Sequence, residues 1–405
     1  MEVLVVGLLG RRAAVVGVYT TEHARNMSRT PFSLQLEAIK GAVADAGLTM
    51  ADVDGLAPNI GSDHHNPAPM MNSSLAHMFW AEQLGGRPLQ VVVHGGGSAQ
   101  LSKAAGVVSA GMADVVVVFF GKSAFATGPS HYADAPPGAL RVGEWDALPH
   151  GGYLVTWYAL WAQRYMHEFG ISKEDLSEIP VVTRHYATLN PASVMGHKGE
   201  LTVEDVMTSK EICSPLNLFD CSGDNDGGYA LVVASEEVAR NTPNPVWILG
   251  AAESYYSDFY ASIPDPWFSE EGLSVKHAAD RAFEMAGVSR DEIDVANLYD
   301  CFSITMARDL EEMGFCKPGE GVAFVKDGQT RLGGSLPSNT DGGLLSGSHC
   351  GEPSGMPTIE VVRQLRGQCG GRQVPNAKLG VSLSQGFSVH GVAGVLVLGT
   401  EEPDK

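Results

Sequence analysis

Both halves of the chain run through the same order of pattern: apolar strand, glycine turn, helix, apolar strand. In the first half, "AAVVGVYTT" (13–21) reads as a strand. "SLQLEAIKGAVADAGLTMADVDGLAP" (33–58) has helical spacing, with Gly47 placed as its C-cap. "ADVVVVFFGKS" (113–123) is a β-branched run of the kind a sheet buries on both faces. From about residue 245 the order restarts. Strand "VWILGAAES", helix "SVKHAADRAFEMAGVSRDEID", strand "VANLYDCFS" and helix "ITMARDLEEMG" lead to helix "PTIEVVRQLRG" and strands "KLGVSLSQG" and "GVAGVLVLGT". A doubled pattern of this type restricts the chain to an α/β class built from two similar halves. The expected halves are 1–240 and 241–405, the first with an aromatic- and His-rich helical insertion over 124–200.

Length and charge narrow the function. A chain of 405 residues exceeds one typical core. Its 44% apolar and 18% charged residues are ordinary for a globular protein. The net charge of −20 makes the chain a poor general binder of nucleic acid or of anionic membrane. It leaves room for an anionic ligand in a locally basic pocket. The apolar start "MEVLVVGLLG" is short, is followed by Arg11 and Arg12, and has no small-x-small cleavage site. No apolar run reaches the ~18 residues of a membrane span. The six cysteines form no C-x-x-C pair, so they read as reduced thiols in a cytoplasmic protein.

Three motif candidates fail on inspection. Asp63, His64, His65 and Asn66 suggest a metal, but their spacing fits a solvated loop. "GKS" (121–123) lacks the glycine that a phosphate loop needs at 116, which is Val116. "LFDCSGDNDGGYALVVAS" (218–235), set on a calcium-loop template, puts Ser222 first and Val233 last, so it reads as a polar turn feeding a strand. No metal site is expected.

The stretch "VVVHGGGSAQLSKAAGVVSAG" (91–111) reads as a buried strand, a tight turn and a small-residue helix. Such a turn presents a nucleophile at a helix N-terminus, yet this one holds no Cys; its candidates are His94 and Ser98.

That stretch, "LYDCF" (298–302), "NTDGGLLSGSHCGEPSG" (339–355) and "LSQGFSVHG" (383–391) stand in an order and spacing that resemble the thiolase superfamily, in particular its sterol-carrier-protein-X branch. The resemblance covers nearly the whole chain. It implies a five-layered αβαβα sandwich of two similar halves, a tight homodimer, and action on CoA thioesters. The departures are chemical. Where the family carries a nucleophilic Cys in a pattern like C-A-S-G-S-A, this chain has His94, or Gly96 if shifted by two. Where many members carry a second Cys, it has Ser384, Gln385 and Gly386. Claisen chemistry needs a thiolate to hold the acyl group. An acyl-imidazole hydrolyses easily, so His94 reads as a helix cap or pocket wall.

His349 falls on the family's catalytic His, and Tyr299 falls where the family has Asn or His at the oxyanion site. A thioester oxyanion site without a nucleophile suits non-covalent enolate chemistry, above all retro-aldol cleavage of a β-hydroxyacyl-CoA. Here the resemblance sharpens to the thiolase-fold aldolases of bacterial steroid side-chain degradation, which use a Tyr in this block. It implies a separate small OB-fold partner, often bearing a zinc ribbon; no zinc-ribbon spacing occurs in this chain. A second Tyr expected in the "SHCGEPSG" block is absent, and Glu352 and Pro353 stand beside His349 instead. Tyr299 and His349 are thus the catalytic candidates. His94, Gly95, Gly96, Gly97, Ser98, Asp300 and Gly386 are the substrate-binding candidates, and CoA enters only as part of the substrate. Two readings compete: an acyltransferase using a relocated cysteine, Cys350 before Cys301, and a non-catalytic acyl-CoA binder. Tyr153, Trp157, Tyr158, Trp161 and Tyr165, at helical spacing, read as core or dimer interface before ligand pocket.

Overall fold

The protein is described as a computed structural model covering residues 12–58, 80–86, 88–93, 100–123, 154–255, 273–350, 354–386 and 391–403. The first half holds β1 (Ala13–Thr20), α1 (Pro31–Asp45), β2 (Gly55–Pro58), β3 (Val91–Val92), α2 (Gln100–Ser109) and β4 (Val115–Lys122). Then come α3 (Leu154–Phe169), α4 (Glu178–Leu189), the small hairpin β5 (Glu211–Cys213) and β6 (Leu216–Asn217), and β7 (Gly227–Ser235). The second half holds β8 (Val246–Tyr255), α5 (Ser274–Ala286), β9 (Val295–Asn297), α6 (Ser303–Glu312), α7 (Met356–Leu365), β10 (Leu379–Gly386) and β11 (Val392–Gly399).

Nine strands form one sheet in the order β3-β2-β4-β7-β1-β8-β11-β10-β9. Its two sides repeat one another. β1 pairs antiparallel with β7, β7 antiparallel with β4, and β4 parallel with β2. Likewise β8 pairs antiparallel with β11, β11 antiparallel with β10, and β10 parallel with β9. The sides meet where Ala14 and Val15 of β1 pair with Trp247 and Val246 of β8.

The repeat extends to packing. Gly17 of β1 faces α1, and a Cβ there would land on the Ala42 carbonyl oxygen; Gly250 of β8 faces α5, and a Cβ there would land on the Ala282 carbonyl oxygen. Each half thus seats its first helix directly on its first strand. Each helix also ends on a left-handed glycine, Gly47 (φ 69°) and Gly287 (φ 66°). α1 starts where Thr30 accepts from the Ser33 N–H with Pro31 at the first turn, a cap worth about 1 kcal/mol.

Three apolar cores give the layers. One packs α1 against the outer face of the first half, through Ala38, Ile39 and Val117. Another packs α5 against the second, through Ala279, Phe283 and Val397. Between them lies a core made from both halves: Leu101 and Val108 of α2 and Val361 of α7 touch Val116, Leu231, Ile248 and Leu396.

Two expectations change. The helix in 33–58 ends at Asp45 with Gly47 closing it as expected, but the tail of that stretch, Gly55–Pro58, is strand β2, paired with β4. The strand reading of "VANLYDCFS" stops at Asn297, so Tyr299 stands beyond the strand end. Of the 124–200 insertion, 124–153 lies outside the described residues, as do Tyr153, the Asp63–Asn66 loop, Glu352 and Pro353. Trp157, Trp161 and Tyr165 of α3 are buried, as the core reading expects. Among the described residues no helix is long and apolar enough to cross a membrane.

Candidate active site

Tyr299 sits just past β9, where the chain leaves the sheet. Its position is set from the side by Asn339, whose left-handed backbone (φ 52°) turns its amide onto residue 298. Asn339 Oδ1 accepts from Leu298 N–H at 2.7 Å, and Asn339 Nδ2 donates to Leu298 O at 3.0 Å. The side chain thus acts as one extra rung of the sheet. Tyr299 is 9% exposed and packs with Cys301 and Leu344, with Tyr158 and Phe302 at the edge of the group. Tyr158 of α3 stacks on Phe302 at 4.2 Å, so one insertion aromatic does reach the site.

His349 arrives from the opposite side, after a π-helical turn at Gly343–Gly347. Asn225 holds its backbone: Asn225 Oδ1 accepts from His349 N–H at 2.7 Å and Asn225 N–H donates to His349 O at 3.2 Å. Behind it, His23 Nε2 lies 3.1 Å from Gly228 O, and His23 Nδ1 lies 2.6 Å from Ser348 Oγ. A carbonyl can only accept, so Nε2 carries the proton, and the Ser348 hydroxyl donates to Nδ1. Burial holds His23 down at about 4, in keeping with a neutral ring. The Tyr299 and His349 rings meet edge to face, 6.4 Å apart at 70°.

Burial lowers the His349 imidazole below its ordinary range, the Asp224 carboxylate pulls it up, and the Lys122 ammonium pushes it down. Lys122 ends β4 with its side chain 3% exposed and its Nζ paired to Asp224. His349 is therefore a neutral imidazole near neutrality, able to accept a proton, with one charge of each sign beside it.

Asp300 stands otherwise than expected of a substrate-binding residue. It has no exposed surface; its Oδ1 accepts from Leu344 N–H at 2.6 Å. It faces the π-helical turn rather than open space. Gly386 ends β10 opposite Val392, half-buried. His94, Gly95, Gly96, Gly97 and Ser98 lie outside the described residues, between β3 and α2.

The cysteines speak against a relocated thiolate. Cys350 and Cys301 are both buried. Burial pushes Cys350 up to about 12 and raises Cys301 as well. A nucleophilic Cys needs the opposite shift.

Sequence reasoning missed Lys122, Asp224, Asn225, His23 and Asn339. Lys122 had a signal: a lone cation closing an otherwise apolar β-branched run, set aside with the failed phosphate loop. Asp224 and Asn225 were within the failed calcium loop. His23 had none, because its partners are hundreds of residues away; Asn339 opens the block at 339–355, but nothing there marks its bond to residue 298.

The two half-sheets, their shared helical layer and the Tyr–His pair at the strand ends define a thiolase-type fold. The chain belongs to the thiolase superfamily. Residues 269–400 match the model of the family described as "Thiolase C-terminal domain-like". A protein of Thermomonospora curvata named steroid side-chain-cleaving aldolase is 34% identical, over 88% of this chain and 90% of its own. A protein of Mycobacterium tuberculosis named 17-hydroxy-3-oxo-4-pregnene-20-carboxyl-CoA lyase is 32% identical, over 89% and 93%. An acetyl-CoA acetyltransferase of Methanothermobacter thermautotrophicus is 31% identical, over 92% and 95%. Among solved structures, the Ltp2-ChsH2(DUF35) aldolase superposes with a TM-score of 0.84 at 31% identity, covering 97% of this chain and 98% of its own.

Proposed function

We propose that this chain is a carbon–carbon lyase that cleaves a β-hydroxyacyl-CoA thioester by retro-aldol chemistry. The observation that carries the reading is the facing of Tyr299 and a neutral, buried His349 at a site whose nearby cysteines, Cys301 and Cys350, are held as thiols. His349 takes the proton of the β-hydroxyl. The Cα–Cβ bond breaks, its electron pair moves into the thioester as an enolate, and a ketone or aldehyde leaves. The imidazolium then returns the proton to Cα, giving a shortened acyl-CoA, so no proton or CoA is consumed. Tyr299 donates its O–H to the enolate oxygen. A Tyr used in this way stays protonated and avoids the cost of about 4 kcal/mol that phenolate at pH 7 would carry. An oxyanion donor of this kind is worth roughly 3–4 kcal/mol in the transition state.

The acyl group we favour is a steroid side chain or another bulky apolar group, in line with the names of two relatives. We further infer a homodimer, and a small OB-fold partner of the DUF35 class, the partner in line with the name of the solved aldolase it resembles. Division of the chain near residue 240 and a cytoplasmic location complete the reading.

The test is mass spectrometry of the protein, with a candidate partner, on β-hydroxyacyl-CoA thioesters that include steroid side-chain forms. A ketone plus acetyl- or propionyl-CoA, formed without added free CoA, is the expected result. Cleavage that depends on free CoA, with an acylated cysteine on the chain, would restore an acyltransferase and overturn the lyase.

A further inference from the structure

Tyr299 and His349 come from different segments, and their facing depends on something that joins those segments. Asn339 fixes the strand end and Asn225 fixes the His349 backbone. Asn339 also bridges from the start of the turn, and Asn297 Nδ2 donates to Asp341 Oδ1 at 3.1 Å. A further side chain reaches the centre of the turn. Asp300 follows Tyr299 directly, and its Oδ1 takes the Leu344 N–H at 2.6 Å, inside the turn that delivers His349. Leu344 in turn packs on Tyr299 and Cys301. The second oxygen, Oδ2, is buried without a hydrogen-bond partner. It lies against Gly343, where a Cβ would collide with it. Gly343 also has φ 58°, so this position needs glycine both for the turn and for the carboxyl.

We propose that Asp300 is a positioning residue that ties the Tyr299 strand end to the centre of the His349 turn, and that it does so as a neutral carboxylic acid. A buried carboxyl with one oxygen lacking a hydrogen bond costs far more ionised than neutral. The titratable groups around it offer no compensating charge. Asp341 on the 339–343 turn and Asp309 on α6 are both carboxyls, and Cys301 is the next residue. Asp309 is itself bound to the Gln385 amide at 2.6 and 2.5 Å. Asp341 Oδ1 accepts from the Asn297 amide at 3.1 Å and the Gly343 N–H at 2.9 Å, and its charge disfavours ionisation of Asp300. Burial accordingly pushes Asp300 up to about 8, against the pull of Leu344 N–H and the Asn339 side chain. Ionisation above that point places an unpartnered anion between two carboxyls and loosens the turn.

The inference rests on the retro-aldol reading of the site, and the test separates the two. Asp300→Ala lowers kcat on the order of 10²-fold, the usual effect of a displaced catalytic pair. Asp300→Asn keeps the acceptor for Leu344 N–H and never ionises, so it recovers most of that loss. In the wild type, the expected result is activity that falls as pH rises through about 8. In Asp300→Asn that decline moves to higher pH. Wild-type protein that cleaves its substrate, with Asp300→Asn showing the wild-type alkaline decline, would overturn the proposal and leave the lyase standing. An infrared titration of unliganded wild-type protein needs neither substrate nor a folded variant. The carbonyl stretch of a protonated carboxylic acid that disappears near pH 8 is the expected result; its absence at pH 7 would refute the neutral acid.

Discussion

His349 owes its neutrality to burial and its basicity to a charge pair. Asp224 raises its affinity for a proton and Lys122 lowers it, and the cation and the anion are bonded to each other. Removing Lys122 takes away the opposing charge and leaves Asp224 facing the imidazole alone. Both changes act in one direction. Lys122→Met therefore raises the His349 pKa, and the acid limb of kcat/KM moves to higher pH by roughly one unit. A pH series of kcat/KM on the two proteins measures the shift; an unchanged acid limb would show that Lys122 does not act on the base. At this scale Tyr299 and His349 were legible, because each stands inside a motif with a family counterpart. Lys122 was not, and Asp300 stood only as a substrate-binding candidate. Their roles depend on which groups meet them from other segments, and a side chain's partners across a sheet leave no mark in its own neighbourhood.

Elements were more legible than residues, with one instructive failure. The end of α1 at Gly47 is legible locally, but the apolar residues beyond it keep helical spacing. Gly55–Pro58 is instead a strand because it pairs with β4, a non-local event. The matched glycines were likewise invisible as a pair. Gly17 and Gly250 look like ordinary strand glycines until α1 and α5 are laid on them. Each lets a helix carbonyl approach the sheet where any side chain would intervene. Gly17→Ala and Gly250→Ala should each destabilise by about 1–3 kcal/mol, the range for overpacking a close contact. Urea melts of both variants check this. Equal losses fit a shared architecture; a neutral result at either position would mean that its helix can shift without strain.

The whole molecule follows the doubled pattern visible in the sequence, but the way its halves join was hidden. Repeated strands and helices say that two units exist. They do not say that α2 and α7 contribute to a single central core lined by strands of both. Nor do they show that the chemistry is drawn from both sides: Tyr299 and His349 from the second half, Lys122, Asp224 and Asn225 from the first.

The central core has a consequence for what can be done with this chain. Each half alone exposes an apolar face meant for the other, so neither is expected to be independently soluble. The segment 241–245 runs between the helix ending at Ala239 and β8, with Asn241, Pro243 and Asn244 exposed. A backbone cut there severs no strand. Fragments 1–242 and 243–405, made in one cell, should reassemble into a protein that cleaves substrate, while each made singly aggregates. Attached to two other proteins, the same fragments would report their encounter as released ketone, because the joint between halves is also where catalysis is completed.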